Sequence, residues 1–251
     1  MQTDVISFFT GKKVSINTTL EQQSITAGDL LRGKIIFTNQ TANETLLQNI
    51  AITFIASYQR PINVSIDKEN TLIFRALLQQ KLILYANETC EMPFQFPVPL
   101  YMPTLPASAI VKTNAKISIL QTISDTDEVI ILPHPKIKEL FDVFWELGFK
   151  HTALSGYVEK HLKQPLQIFS IKPIKEPYLG KLKDLEFFYV IDKQSVEIFM
   201  TMDKMTKELL GMGEEDDEKK NSKIRFKIML NQPITPTLIS YYMDKLLQIA
   251  K

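Results

Sequence analysis

Scarcity rules out several kinds of chemistry before any motif is read. One cysteine, Cys90, occurs in 251 residues, so an internal disulfide and a multi-cysteine zinc site are excluded, and the composition suits a reducing compartment. Neither sign of charge dominates, with 29 Lys and Arg against 28 Asp and Glu. The overall balance therefore gives no reason to expect nucleic acid or an anionic membrane as the main partner. No apolar run approaches the roughly 18 residues of a bilayer-crossing helix, because Gln79 to Lys81 interrupt the richest candidate. The opening MQTDVISFFTGKK sets an acid before its short apolar patch and lysines after it, the reverse of a secretory signal. The N-x-S/T triplets at Asn17, Asn39, Asn43, Asn63 and Asn87 then read as chance, and the cytoplasm is the expected location.

What is present is enough apolar sequence, 45% of the residues, for two ordinary cores. The clearest element is Pro133 to Lys150. Ile137, Leu140, Phe141, Phe144 and Trp145 recur at three- and four-residue steps, Pro135 suits a first helical turn, and Gly148 suits a left-handed cap. Val143 and Leu147 widen the stripe, so this helix is expected to join two halves and to be packed on more than one side. Trp145, the only tryptophan, is expected to be buried with Phe141 and Phe144.

β-patterned sequence flanks the helix. Lys13 to Leu20, Leu31 to Thr38 and the alternation Ile50, Ile52, Phe54, Ala56, Tyr58 predict three strands, with a turn at Arg60 to Asn63. Leu72 to Leu84 is β-prone, although Ala76 to Gln80 is also compatible with a helix. Met92 to Val98 places Phe94, Phe96 and Val98 on one face, while Pro93, Pro97 and Pro99 restrict it to a sheet edge. Ala109 to Ile123 and Val129 to Leu132 complete the first half with sandwich-like spacing. Beyond the helix, Leu166 to Ile171 predicts a strand, Phe187 to Ile191 and Val196 to Met202 a hairpin, and Ile224 to Leu230 a last strand. Met205 to Leu210 reads as a helical turn and Gly211 to Asn221 as a solvated acidic loop, the expected first site of proteolysis. Thr235 as N-cap and Pro236 start a C-terminal helix. The predicted organisation is thus an N-terminal β-sandwich over 1–132, followed by the joining helix and a second β-rich domain with a C-terminal helix over 133–251.

No catalytic constellation emerges. Gly28 to Ile35 matches G-x-x-x-x-G-K, but Ile35 stands where a phosphate loop needs Ser or Thr, and Ile36 continues a strand rather than opening a helix. His134, His151 and His161 lack metal-ligand spacing, and Cys90 lacks an identifiable base. The run Glu214 to Glu218 lacks the alternating ligands and glycine of a calcium loop. No cofactor or metal is expected. Lys12 and Lys13 form a paired start that could bind phosphate on a peptide partner, with simple solvation as the competing reading.

Four stretches in order, Ser7 to Gly11 (SFFTG), Ile25 to Phe37 (ITAGDLLRGKIIF), Met92 to Pro99 (MPFQFPVP) and Leu132 to Lys136 (LPHPK), together with the Leu147 to Phe149 helix ending, resemble the SpoOM (stage-zero M) family of bacterial sporulation-control proteins. The resemblance runs from about Ser7 to Phe149 and loosens beyond it. It implies an arrestin-like fold, with an immunoglobulin-like sandwich followed by a second β-rich part. It also implies a non-enzymatic cytosolic regulator of entry into sporulation that acts through protein contacts, and it supplies no catalytic residues. The competing readings are a hydrolase or transferase assembled around Cys90 or a histidine, and a coat-like structural protein. Phe94 and Phe96, beside an edge open to strand addition, are the expected partner-binding residues, with edge protection as the plainer alternative. Self-association into a homo-oligomer stays open.

Overall fold

The computed structural model describes residues 14–62, 65–104, 107–118, 121–153, 155–160, 165–182, 184–202 and 223–249. Lys12, Lys13, His161, the expected helical turn at 205–210 and the acidic loop at 211–221 lie outside them.

The chain is mainly β, as expected. Its first part contains β1 (Val14–Leu20), β2 (Ser24–Thr26), β3 (Leu30–Asn39), β4 (Thr45–Ile62), β5 (Ser65–Leu84), β6 (Thr89–Pro97), β7 (Ser108–Lys116) and β8 (Thr122–Leu132). A three-stranded sheet ordered β1-β3-β6 faces a five-stranded sheet ordered β2-β8-β7-β4-β5. Period-two alternation sends Leu31, Ile35 and Phe37 from one sheet, and Ile50, Ile52, Phe54, Ala56 and Tyr58 from the other, into a shared core. The turn expected over Arg60 to Asn63 lies two residues further on. β4 continues through Ile62, which pairs with Ser65, and the proposed helical stretch Ala76 to Gln80 is strand paired with β4, with irregularities at Ile50/Ala51 and Phe54/Ile55 absorbing the register change.

The two glycines of the G-x-x-x-x-G-K near-match have structural duties. Gly28 sits in a turn at φ +99°, where a side chain would strain the backbone. Gly33 lies opposite Phe94 in the β3–β6 ladder, and a Cβ there would come within 2.6 Å of both the Phe94 ring and the Thr19 carbonyl.

The second part holds helix α1 (Pro135–Glu146), then β9 (Phe149–His151), β10 (Tyr157–Lys160), β11 (Pro165–Pro173), β12 (Leu185–Ile191), β13 (Ser195–Met202) and β14 (Lys223–Met229), and ends in helix α2 (Pro236–Ile249). The strands form one six-stranded sheet ordered β10-β11-β12-β13-β14, with β9 also paired to β11. Both helices pack on one face of it, closing a core of Ile137, Leu140, Phe144, Phe187, Ile198 and Met243 among others. α2 begins as expected: the Thr235 hydroxyl accepts from the Leu238 amide at 3.2 Å.

One buried side chain, Gln167 of β11, ties the parts together. Its Oε1 accepts from the Thr104 amide at 2.8 Å and the Thr104 hydroxyl at 3.2 Å, while its Nε2 donates to the Thr104 carbonyl at 2.8 Å and the Gly156 carbonyl at 3.0 Å. The amide group thus pairs with both backbone groups of Thr104 as a neighbouring strand would. The Tyr189 phenol, bonded to Thr104, is held above its usual range by burial despite that bond. Nearby, Leu100 packs on the second core and Val158 on the first. Gln167→Leu removes every one of these bonds while keeping bulk. We expect it to lower unfolding stability by roughly 3 kcal/mol, since buried groups left unpaired cost about 1–3 kcal/mol each. A urea midpoint at the wild-type value would show that this clamp contributes nothing.

Candidate interaction edges

An open sheet presents unpaired amides and carbonyls at its rim, and proteins usually blunt them. Most rims here are blunted. β6 is a sheet edge, as its prolines predict, but Pro93 and Pro97 share one parity of the strand and carry no N–H, so donors are missing from its outward side. Phe94 and Phe96 are only 7% and 9% exposed and lie in the sandwich core, Phe96 edge-on to Phe54 and Phe74. Their alternation turns them inward, so they shape the edge from beneath, and the expectation that they meet a partner directly does not hold in this structure. β1 is covered by Asp125, whose Oδ2 accepts from the Thr18 amide at 2.5 Å, and by the Thr18–Thr113 hydroxyl bond at 2.8 Å. Neighbouring Asp127, with one buried oxygen unpaired, has its pKa raised by burial first and by the Asp125 charge second. β14 exposes Lys223, Arg225 and Lys227 along its length, and β2 is three residues long.

β5 is different. It is the outermost strand of the five-stranded sheet, runs for 20 residues and contains no proline. Leu72, Leu77 and Ile83 are 60%, 54% and 50% exposed, and Ile83 lies directly across from exposed Leu46. One carbonyl, that of Lys81, is taken by the Gln79 side chain at 2.7 Å. Nothing in the local pattern of Leu72 to Leu84 distinguishes an edge from a central strand; only the strand order does.

The joining helix is built as expected at both ends. His134 is the N-cap, its Nδ1 accepting from the Lys136 amide at 3.1 Å, Pro135 occupies the first turn, and Gly148 follows the C-cap Leu147 at φ +82°. Ile137 and Phe144 are buried and Phe141 half-buried, its ring edge-on to Phe169. Trp145 is 63% exposed, which corrects the expected burial. At about 100° per residue it lies roughly 120° around the helix from the middle of the Leu140–Phe144 stripe. The helix therefore packs through one face, on the second core, rather than between two halves. Buried Lys136 reaches Glu139 at 2.5 Å and the Gln232 carbonyl at 2.8 Å, and Glu139 accepts from the Ile234 amide at 2.8 Å, fastening α1 to the approach to α2.

The reactive-group candidates are scattered. Cys90 is half-buried on β6 against the first core, His134 caps α1, and His151 of β9 bonds Ser155 Oγ at 2.7 Å, an oxygen that also accepts from the Ser170 amide. Among the described residues no hydrogen bond joins Cys90 to either histidine, and no group of three or more His, Cys, Asp or Glu could hold a metal. No helix among them is long and apolar enough to cross a membrane.

With this geometry in place, comparison with known proteins identifies the family. A family model described as SpoOM protein (Spo0M) matches residues 8–206. The chain belongs to the SpoOM protein family. Among SpoOM relatives, the sporulation-control protein spo0M of Bacillus subtilis (strain 168) is 23% identical over 221 residues, covering 84% of each chain. The crystal structure of Spo0M, sporulation control protein, from Bacillus subtilis superimposes with a TM-score of 0.78 over 96% of this chain and 100% of that one at 18% identity, a likeness of fold.

The histidines give this SpoOM protein a pH dependence of definite sign. Burial depresses the His134 pKa, with Asp29 opposing and Lys136 adding to the effect, and burial depresses that of His151. Below the free imidazole value of about 6.5 the unfolded chain takes up protons that the folded one resists. Stability should therefore fall as pH drops from 7 toward 5. Burial pushes Glu139 up, but its bonds from Lys136 and Ile234 outweigh that and leave it below its usual range, so a further loss follows below about pH 4.5. Thermal melts across this range check both; a flat profile from pH 7 to 5 would refute the histidine part.

Proposed function

We propose that the chain is a non-enzymatic, arrestin-like regulator in the control of sporulation, working in the cytoplasm and taking a protein partner by strand addition along the outer edge of β5. Membership of a family whose matched relative is named a sporulation-control protein supports the biological setting. The observation that carries the mechanism is β5 itself, the longest strand among the described residues and a sheet rim without proline that exposes Leu72, Leu77 and Ile83. An extended partner segment would add main-chain bonds along it, and its alternate side chains would cover Leu72, Leu77 and Ile83. In this reading 1–132 and 133–251 act as two domains. The first carries the edge, and the second is held to it through Gln167.

Leu77→Lys with Ile83→Lys tests the proposal without touching a core, since both side chains are already exposed. Proteins captured from sporulating cells by the wild type should be lost by the double variant at equal folded stability. A peptide covering the captured partner's contact segment should bind the variant at least about tenfold more weakly, the scale of one lost interface anchor. Retention of the same partners by the folded variant would remove β5 from consideration. A wild-type dimer that the variant converts to monomer would assign the edge to self-association instead.

A further inference from the structure

A second surface lies at the far end of α1, away from β5. Lys150 of β9 and Lys172 of β11 are directly opposite in the antiparallel ladder, so their side chains leave the same face side by side. Like charges in that position repel and cost stability. Lys175 adds a third cation, its side chain lying against Gly148, whose carbonyl accepts from the Ile174 amide at 2.7 Å. All three lysines are exposed, and among the described residues none has an acidic partner. The Lys150 ammonium sits 5.6 Å from the centre of the Trp145 ring. Around this cluster Trp145, Ile174 and Leu179 are all exposed, and Gly180, beside Leu179, has nothing within 4 Å of where a Cβ would stand. The apolar groups therefore project at a helix end and a turn tip instead of lining a groove.

We propose that this surface docks the protein on an anionic lipid bilayer, with the Trp145 indole, Ile174 and Leu179 entering the interfacial layer and Lys150, Lys172 and Lys175 meeting lipid phosphates. Each feature answers to that partner. Indole settles at the boundary between headgroups and acyl chains. A juxtaposed lysine pair that is unfavourable in water gains when an anionic surface neutralises it, and local clusters act in this way even when the net charge is near zero. An acidic peptide would satisfy the lysines, but projecting apolar groups without walls offer it little to grip.

The full chain supplies its own reporter, because Trp145 is the only tryptophan. Vesicles of equal parts phosphatidylglycerol and phosphatidylcholine should shift its emission to shorter wavelength, pure phosphatidylcholine should not, and brominated acyl chains in the anionic vesicles should quench it. Lys150→Gln with Lys172→Gln should weaken vesicle binding on the order of 30-fold, about fivefold for each lysine removed, and 0.5 M salt should weaken it in the wild type. If the double variant does not fold, brominated-lipid quenching of the wild type decides alone. Absence of quenching at low salt, or equal binding to both vesicle types, overturns the proposal. So does a shift produced by a polyglutamate peptide but by no vesicle, which would assign the surface to acidic protein segments.

Discussion

Every amide at the rim of an open sheet must be satisfied by a side chain, by water or by another chain, and that requirement explains more of this molecule than any single motif does. It accounts for the prolines of β6, for the Asp125 carboxylate over β1 and for the cationic row along β14. Seen against these devices, β5 stands out by contrast with its neighbours, and the contrast is what gives its exposed leucines meaning. Scattered apolar residues on a surface are ordinary. A row of them on a proline-free rim is not.

The same requirement operates inside the molecule. Thr104 lies in the connection between β6 and β7, where no strand pairs with it; its carbonyl accepts from the Ala107 amide, and the Gln167 side chain gives its amide an acceptor and its carbonyl a second donor. A carboxamide suits this role because it offers both an N–H and a C=O in one plane. The junction between the two cores is thus specified by polar geometry as well as by the apolar contacts of Leu100 and Val158. Apolar contacts alone would tolerate sliding; a two-point bond does not.

Much of this architecture was legible in the chain because local patterns carry it. Ile50 to Tyr58 alternate, His134-Pro135 and Gly148 bracket α1, and Asp192 to Ser195 separate two strands as a hairpin must, so these elements appear where expected. The misses have a common cause. Trp145 shares the three- and four-residue spacing of the apolar stripe but stands at its margin, where the helix meets water, and Phe94 and Phe96, expected at a partner surface, are turned inward by their parity. Edge status for β5, the opposition of Lys150 and Lys172, and the reach of Gln167 all depend on which distant segments become neighbours. A single sequence holds no periodic signal for that. The lysines at positions 12 and 13 fall outside the described residues, and their phosphate-binding role stays an expectation of the sequence.

The close approach of Phe94 to Gly33 carries a consequence for how the lineage can vary. The ring occupies the space a side chain at position 33 would need, and the Thr19 carbonyl closes the other direction. Position 33 is therefore not free to drift by itself. A descendant that acquired alanine or serine there would first have to shrink the aromatic ring across the ladder and ease β1 away, and a descendant that lost the ring would leave a gap that the bare glycine cannot fill. The two positions form a historical pair, in which the order of substitutions decides whether the intermediate can fold.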